Sequence, residues 1–472
     1  MIPIDDQEVI PSLSQSILTD GFDMVLDLDK SRGARLHDAK RNRTVIDFFS
    51  FFASNPIGLN HPRLFEEEFE ARLLKFARVK VSNADMYTTA YAEFVASFHR
   101  HVTPMFDRLF FIEGGALGVE NAIKTAQDWK VQKNLASGRG EIGTQVLHFN
   151  EAFHGRSGYT LSLTNPAPAK VRYFAKFDWP RVINPKLKYP LTAESLRETL
   201  ALEELASEQI HAAFATRPHQ ICSILIEPIQ GEGGDNFFRA EFLRKLRELA
   251  DAHDALLIFD EVQTGMGTTG RFWAFEHFGV QPDLIAFGKK VQVCGCAARL
   301  ERLSEVEHTF KVSSRINSTF GGNLADMVRT TQIIDIILQE NLLEHAARTG
   351  ETLKRWLLSL AESDERVTNV RGLGLWLAFD LPTATLRDQF VKLCWQNGLI
   401  ILPSGKRTIR IRTVLDLKLE DAADGFTIIH KSLGQLKSGS PESFPGAIMH
   451  EYESAAGQPS EDRARQLSAS PA

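Results

Sequence analysis

Cysteine is scarce in this sequence, with four among 472 residues: Cys222, Cys294, Cys296 and Cys394. So few cysteines in so long a chain do not form the disulfide framework of a small secreted protein. Cys294 and Cys296 stand one residue apart, as half of a metal site would, but no second Cys or His pair follows at ligand spacing. We therefore expect small buried thiols here and no metal site.

Three further features are absent from the sequence. No apolar run approaches the roughly 20 residues that a membrane-spanning helix needs, and the first residues lack the basic and apolar regions of a signal peptide. Lys and Arg are scattered and the formal net charge is −6, whereas nucleic-acid-binding proteins usually carry a basic stripe. These absences favour a cytoplasmic protein without membrane or nucleic-acid partners.

The composition is that of an ordinary globular protein, with 43% hydrophobic and 24% charged residues. The length suggests roughly two to four domains, or one large domain with a smaller one attached. Strand-like runs alternate with helical stretches, which predicts an α/β protein with a mainly parallel sheet. The predicted strands of this part are 108–112, 145–149, 221–226, 255–259 and 283–287, and the predicted helices are 119–130 and 240–253.

Both ends of the chain read differently from this central part. Residues 1–60 contain short strands, at 24–28 and 44–49. Two helices are expected at about 323–340 and 343–362, followed by a strand–helix–strand–strand pattern over about 368–418. This pattern predicts a smaller α+β lobe. The tail from about Ser438 is rich in Ser, Pro, Gly, Ala and Glu, a composition typical of poorly ordered chain.

Two charged residues follow predicted strands. Asp260 stands at the carboxyl end of one, where α/β sheets place functional groups; it could ligate a metal, cap a helix or pair with a protonated heteroaromatic nitrogen. Lys289 closes the next strand, where desolvation would lower its pKa and make its amine a nucleophile toward carbonyl groups. The alternative is a solvent-exposed lysine. Because neighbouring strand side chains point in opposite directions, we expect at least one of Lys289 and Lys290 to be exposed.

Two other segments are open to more than one interpretation. Gly114, Gly115 and Ala116 lie between a strand and a helix, where they could cradle a phosphate at the helix N-terminus or form a plain turn. Phe153 could stack on a planar cofactor or pack in the core. Arg156 could hold a carboxylate with two hydrogen bonds or form a surface ion pair.

Taken together, the order and spacing of these segments resemble the class III (omega) aminotransferases, within the fold-type-I pyridoxal-phosphate group. The resemblance runs from about residue 22 to about 435, and its most specific segments are 227–234, 259–265 and 282–289. Segments 21–29, 48–62, 153–165 and 287–295 resemble the lysine-specific subgroup of that family. The resemblance implies a large cofactor-binding domain at 61–335. It also implies a small domain built from 1–60 and 336–437. Residues 438–472 lie outside the resemblance and are expected, from their composition, to form a flexible tail.

The resemblance also implies which residues bind the cofactor, pyridoxal 5'-phosphate. Lys289 corresponds to the lysine that forms the Schiff base, and Asp260 to the carboxylate that keeps the pyridine nitrogen protonated. The other corresponding positions are Gly115 and Ala116 at the phosphate, Phe153 and Val262 against the ring, Gln263 near the ring hydroxyl, and Thr319, which reaches the phosphate from a neighbouring subunit. Most relatives have Ser-Gly-Thr at 114–116, so phosphate binding here must rely more on backbone amides.

Substrate-binding roles follow from the same resemblance. Arg156 corresponds to an arginine that holds the α-carboxylate of lysine, and Arg410 to one that binds the α-carboxylate of 2-oxoglutarate. Glu232 corresponds to the acid that covers Arg410 while the amine is bound. The expected activity is transfer of the ε-amino group of L-lysine to 2-oxoglutarate by a homodimer with shared sites. Ornithine, 4-aminobutyrate or a diamine as donor, an aminomutase, and a non-catalytic protein are the alternatives.

Overall fold

A computed structural model describes residues 4–436. The strands are β1 (Leu26–Arg32), β2 (Arg35–Asp38), β3 (Arg43–Asp47), β4 (Arg108–Ile112), β5 (Gln145–Phe149), β6 (Arg181–Val182), β7 (Ile221–Ile226), β8 (Ile229–Gln230), β9 (Asn236–Phe237), β10 (Leu256–Asp260), β11 (Leu284–Phe287), β12 (Cys294–Ala298), β13 (Thr368–Leu373), β14 (Trp376–Asp380), β15 (Leu399–Ile400), β16 (Leu402–Ser404) and β17 (Thr408–Arg412).

Thirteen α-helical segments are found in the same part of the chain. They are α1 (Val9–Ser14), α2 (Ser50–Ala53), α3 (Glu67–Ala77), α4 (Thr89–His101), α5 (Gly115–Ala136), α6 (Gly158–Leu163), α7 (Ala193–Thr216), α8 (Ala240–Ala252), α9 (Leu300–Leu303), α10 (Leu324–Gln339), α11 (Leu342–Ser363), α12 (Ala384–Gln396) and α13 (Leu419–Gln435). The segment α2 is a single turn in the left-handed conformation.

The largest sheet has seven strands in the spatial order β4-β12-β11-β10-β7-β5-β6. Only β12 runs antiparallel to its neighbours, so the expectation of a mainly parallel sheet is confirmed. Every residue of β7, β10 and β11 is buried, because helices cover the sheet and apolar side chains on both strand faces are removed from water. Helix α5 packs on β11 and β12.

Two four-stranded sheets lie outside this one, and β8 and β9 form a separate two-stranded sheet. The first has the order β1-β2-β3-β15, and β15 pairs parallel with β3 through Leu399 and Ile46. Residues from both ends of the chain therefore share one sheet, as the resemblance implied. The second has the order β13-β14-β17-β16 and contains Arg410 in β17. The exact domain limits stay predictions.

Local predictions were accurate where apolar runs were long and less accurate elsewhere. Strands 108–112, 145–149 and 221–226 are confirmed at their stated limits. The strand–helix–strand–strand pattern over 368–418 is wrong, because two strands precede α12 and three follow it. The missed hairpin turns at Gly374, whose φ of +57° suits glycine. The tail that was expected to be poorly ordered lies outside the described residues.

Among residues 4–436, no helix is both long and apolar enough to cross a membrane.

Candidate active site

Strand pairing brings the two charged strand ends together. β10 and β11 are parallel neighbours, and Asp260 pairs in register with Ala286, one residue before the end of β11. The carboxyl ends of both strands therefore open at one edge of the sheet, where α/β proteins place their ligands. Asp260 and Lys289 both line a cavity of about 350 Å³ at this edge.

Asp260 is fixed by a histidine that the sequence analysis did not single out. The carboxylate is 5% exposed, and it accepts hydrogen bonds from the His154 ring Nδ1 at 2.8 Å and from the Val262 backbone N–H at 3.0 Å. A buried carboxylate held by donors in this way keeps its orientation. Asp260 thus presents a fixed negative group to the cavity.

Lys289 follows β11, as predicted, and begins a 3-10 turn there. Its φ is +49°, and its Nζ donates a hydrogen bond to the carbonyl of Phe52 at 3.1 Å. The pKa of this amine is lowered to about 8, mainly by burial and also by the nearby Arg410 cation, while the negative charges of Glu232 and Asp260 oppose the shift. A larger neutral fraction makes the amine a better nucleophile.

Lys290 overturns the expectation that one of the two lysines is exposed. Its side chain is buried, and burial lowers its pKa to about 7. Because both lysines lie in a 3-10 turn rather than a strand, the alternation of strand side chains does not apply to them. Lys289 lines the cavity, whereas Lys290 is not among the lining residues.

The turn whose Phe52 carbonyl accepts the Lys289 hydrogen bond has an unusual backbone conformation. Ser50, Phe51, Phe52 and Ala53 have φ between 39° and 61°, a left-handed conformation that costs a non-glycine residue roughly 1–2 kcal/mol. The buried Asp47 carboxylate accepts the backbone N–H groups of Phe49 and Ser50, both at 2.8 Å. These hydrogen bonds hold the turn, and strain of this kind is typical of functional sites.

The glycine-rich segment contributes Gly115 and Ala116 to the lining of the cavity. Helix α5 begins at Gly115 without a capping side chain, after Gly114 at φ +104°. A Cβ atom on Gly115 would lie 2.8 Å from Cγ1 of Val262, and one on Gly155 would lie 2.5 Å from Cβ of Ala116. Gly115 and Ala116 thus lie at a helix N-terminus that lines the cavity, where backbone N–H groups without intrahelical partners favour an anion such as a phosphate.

Glu227 is a second group to which the sequence analysis gave no role. Its carboxylate accepts the backbone N–H of Phe153 at 2.9 Å and that of Gly231 at 3.0 Å. Burial raises its pKa to about 8, and the negative charge of Asp260 adds to the effect. Glu227 ties the segment carrying Phe153 to the one carrying Glu232. Its position in segment 227–234, which resembles the family, was the feature of the sequence that could have identified it as a site residue.

Glu232 lies between two cations at the cavity wall. Its Oε2 is 2.8 Å from a guanidinium nitrogen of Arg410, and its Oε1 is 2.5 Å from Nζ of Lys170. All three side chains are at most 10% exposed. The pairing of Glu232 with Arg410 was expected from the resemblance, whereas Lys170 was not singled out.

The remaining positions divide into two groups. Phe153, Val262 and Gln263 line the cavity together with Gly115, Ala116, Glu232, Asp260 and Lys289. Arg156 and Thr319 are exposed and are not among the lining residues. The carbonyl of Thr319 accepts the hydroxyl of Ser82 at 2.5 Å.

The cavity fits pyridoxal phosphate chemically. It offers a helix N-terminus for a dianionic phosphate, a fixed carboxylate for a pyridinium nitrogen, and an amine of lowered pKa for an aldehyde. The Gln263 side-chain oxygen is buried without a hydrogen-bond partner among the described residues, and a ligand at the cavity would supply one.

Comparison with known proteins agrees with this chemistry. Residues 19–433 match the family model described as aminotransferase class-III. The chain is 47% identical over 436 residues to the L-lysine-epsilon aminotransferase of Mycobacterium tuberculosis strain H37Rv, covering 91% of this chain and 96% of that protein. It is 45% identical over 439 residues to the protein of that name from Streptomyces clavuligerus, covering 90% and 96%.

The three-dimensional comparison gives the same result. The lysine aminotransferase from M. tuberculosis, solved in its internal aldimine form, superposes with a TM-score of 0.90 at 47% identity, covering 92% of this chain and 100% of that one. The fold-type-I class is therefore confirmed. By its sequence, its fold and its cavity, the chain belongs to the class III aminotransferases and is a pyridoxal-phosphate-dependent transaminase.

Proposed function

We propose that the protein is an L-lysine 6-transaminase, which moves the ε-amino group of L-lysine to 2-oxoglutarate and yields 2-aminoadipate 6-semialdehyde and glutamate. The observation that carries the proposal is the Glu232–Arg410 ion pair at the cavity wall. An amine donor and a dicarboxylate acceptor must use this pocket in turn, and a carboxylate that can cover or release an arginine serves both. The 45–47% identity to proteins named for lysine supports the donor.

We assign the cofactor contacts as follows. Gly115 and Ala116 bind the phosphate through backbone N–H groups, and Phe153 and Val262 enclose the ring. Gln263 lies near the ring hydroxyl, which can donate to its unpartnered side-chain oxygen. Asp260, oriented by His154, keeps the ring nitrogen protonated. When bound, the cofactor withdraws electrons from the substrate carbon that carries the amine. The wall at Gly115 and Ala116 and the buried carboxylate support these assignments.

Lys289 has two tasks in the proposed reaction. Its amine would hold the cofactor covalently, and the incoming amine of the substrate would take its place. Nζ of Lys289 would then act as the general base and acid that carries a proton between carbon centres. A pKa of about 8 suits both directions of transfer near neutral pH, because neither protonation state is rare.

Arg410, Glu232 and Arg156 select the substrates in this proposal. With Glu232 on Arg410, the cation is neutralised and does not repel the lysine ammonium. With Glu232 withdrawn, Arg410 grips the α-carboxylate of 2-oxoglutarate with two hydrogen bonds. Arg156 takes the remote α-carboxylate of lysine. Its place directly after Gly155, which lines the cavity, supports this role.

The reactivity of Lys289 with added cofactor is expected to depend on pH. Because the pKa of the amine is lowered to about 8, the protonated form dominates below that pH and the neutral nucleophile above it. The initial rate at which cofactor-free protein takes up pyridoxal phosphate should rise with pH and reach half of its maximum near pH 8. Stopped-flow absorbance measures this rate. A half-maximal rate reached only near the ordinary lysine value of 10.5 would contradict the lowered pKa.

We also propose that the active protein is a homodimer with shared sites. Thr319 is exposed, outside the lining of its own cavity, and exposed apolar side chains Met86 and Tyr87 lie close in sequence to Ser82, which binds its carbonyl. Large exposed apolar side chains are typical of interfaces. Sedimentation at assay concentration should show a dimer or a multiple of it. A fully active monomer would contradict the proposal.

A panel of amino donors tests the proposed reaction. With 2-oxoglutarate as acceptor, L-lysine should give a higher kcat/KM than ornithine, 4-aminobutyrate or a diamine. Glutamate should form in equal amount to the lysine consumed, which also separates a transaminase from an aminomutase. Inert lysine alongside a fast ornithine or 4-aminobutyrate reaction would contradict the proposal. A cytoplasmic location and the absence of nucleic-acid partners stay predictions.

A further inference from the structure

Glu232 contacts a second cation, Lys170, which has no role so far in the proposed pairing and separation of Glu232 and Arg410. Nζ of Lys170 lies 2.5 Å from Oε1 of Glu232, while Arg410 lies 2.8 Å from Oε2. The Lys170 side chain is 4% exposed. The carboxylate therefore bridges two buried cations, one through each of its oxygens.

Lys170 is held in place independently of Arg410. It ends the 3-10 turn Pro168–Lys170, and its backbone N–H donates to the carbonyl of Ala167 at 3.2 Å. Its Nζ lies 5.6 Å from the ring centroid of Phe153, within the range of a cation–π interaction. Arg410 instead projects from β17, in the four-stranded sheet β13-β14-β17-β16. The two cations thus belong to separate parts of the fold.

The contact with Lys170 affects the free energy of separating Glu232 from Arg410. A carboxylate that loses its counter-ion in a buried setting is strongly disfavoured. When Arg410 turns to the carboxylate of an acceptor, Glu232 gives up that contact. The Lys170 ammonium is a counter-ion that does not depend on Arg410, so it lowers the cost of separating Glu232 from Arg410.

We propose that Lys170 is a positioning residue that retains Glu232 while Arg410 binds the α-carboxylate of the dicarboxylate acceptor. This inference rests on the proposed function for the role of Arg410. It predicts that Lys170 favours the acceptor half-reaction and is dispensable for the donor half-reaction. Removing Glu232 itself would have the opposite effect, because Arg410 would then repel the donor ammonium.

Lys170→Met tests the inference, because methionine keeps the unbranched stem and removes the charge. Two quantities are measured on the holoenzyme: single-turnover rates with L-lysine and with 2-oxoglutarate, and the dissociation constant of glutarate, a dicarboxylate that cannot react. We expect glutarate and 2-oxoglutarate binding to weaken about tenfold, on the scale of one buried charge contact. The lysine half-reaction should change by less than about twofold.

Two variants separate positioning from a structural role. Lys170→Arg keeps the cation and should restore glutarate binding. Arg172→Met removes a charge from the exposed neighbouring position on the same loop and should leave both half-reactions as in the wild type. Glu232→Gln should show the reverse split, with the lysine half-reaction weakened more than glutarate binding.

The outcomes distinguish the inference from the proposed function. Unchanged glutarate binding in Lys170→Met overturns the inference, and so does an equal loss in both half-reactions that Lys170→Arg does not restore. A wild-type enzyme that ignores L-lysine overturns the proposed donor. Glutarate binding still decides the role of Lys170 in that case, because it needs no donor.

Discussion

Replacing Lys289 with alanine is expected to lower turnover by at least about 10⁴-fold, since both nucleophilic bonding to the cofactor and general acid–base transfer would be lost. Cofactor binding should persist, because the phosphate wall at Gly115 and the carboxylate of Asp260 do not depend on this side chain. Steady-state kinetics and a cofactor titration of the purified variant measure the two effects. Near-normal turnover would contradict the role given to Lys289.

The neighbouring lysine is a matched control for that experiment. Lys290 is buried beside Lys289 but does not line the cavity, so Lys290→Met should retain cofactor linkage and most of the activity. Borohydride reduction of the wild type, followed by digestion and mass spectrometry, should find the cofactor on Lys289. A labelled Lys290 would show that the assignment within the pair is wrong.

Replacing Asp260 with asparagine should have the second largest effect. The variant keeps the shape of the side chain but loses the charge that faces the cavity. We expect turnover to fall by at least about 10-fold to 100-fold, because a charge-assisted hydrogen bond contributes roughly 1.5–3 kcal/mol. The absorbance spectrum of the bound cofactor should also change, since its ring nitrogen would lose its proton. Kinetics and spectra at one pH measure both.

Asp283 provides the comparison for Asp260. It is another buried carboxylate of this sheet, at the opposite end of β11, where it accepts the Leu257 backbone N–H and an Arg247 guanidinium N–H, both at 2.7 Å. Asp283→Asn should lower the melting temperature and leave the cofactor spectrum unchanged. If Asp260→Asn behaved in the same way, its role would be structural.

The strand ends that form the site could be predicted because their signals are local. Apolar runs identified β7 and β10 closely, and parallel pairing then placed Asp260 at the sheet edge near Lys289. The conformation of Lys289 could not be predicted in this way. Its 3-10 turn follows Gly288 and depends on packing that no short pattern encodes.

Contacts between distant segments were the part that sequence reasoning missed. His154 meets Asp260 across 106 positions, and Lys170 meets Glu232 across 62. Such pairs form only after the whole fold has closed the intervening loops, so they leave no periodicity or spacing in the sequence. The left-handed turn at Ser50–Ala53 is a further case, because its residues have no intrinsic preference for that conformation.

The nitrogen that leaves lysine decides whether the enzyme is a 6-transaminase. L-lysine labelled with ¹⁵N at the ε position would be incubated with the enzyme and 2-oxoglutarate, and the glutamate formed would be analysed by mass spectrometry. A parallel sample would carry the label at the α position. Transfer of the ε-amino group should give labelled glutamate from the ε-labelled substrate alone. The other product should be a cyclic imine that keeps its α-carboxylate and its α-nitrogen. Labelled glutamate from the α-labelled substrate would contradict this transfer.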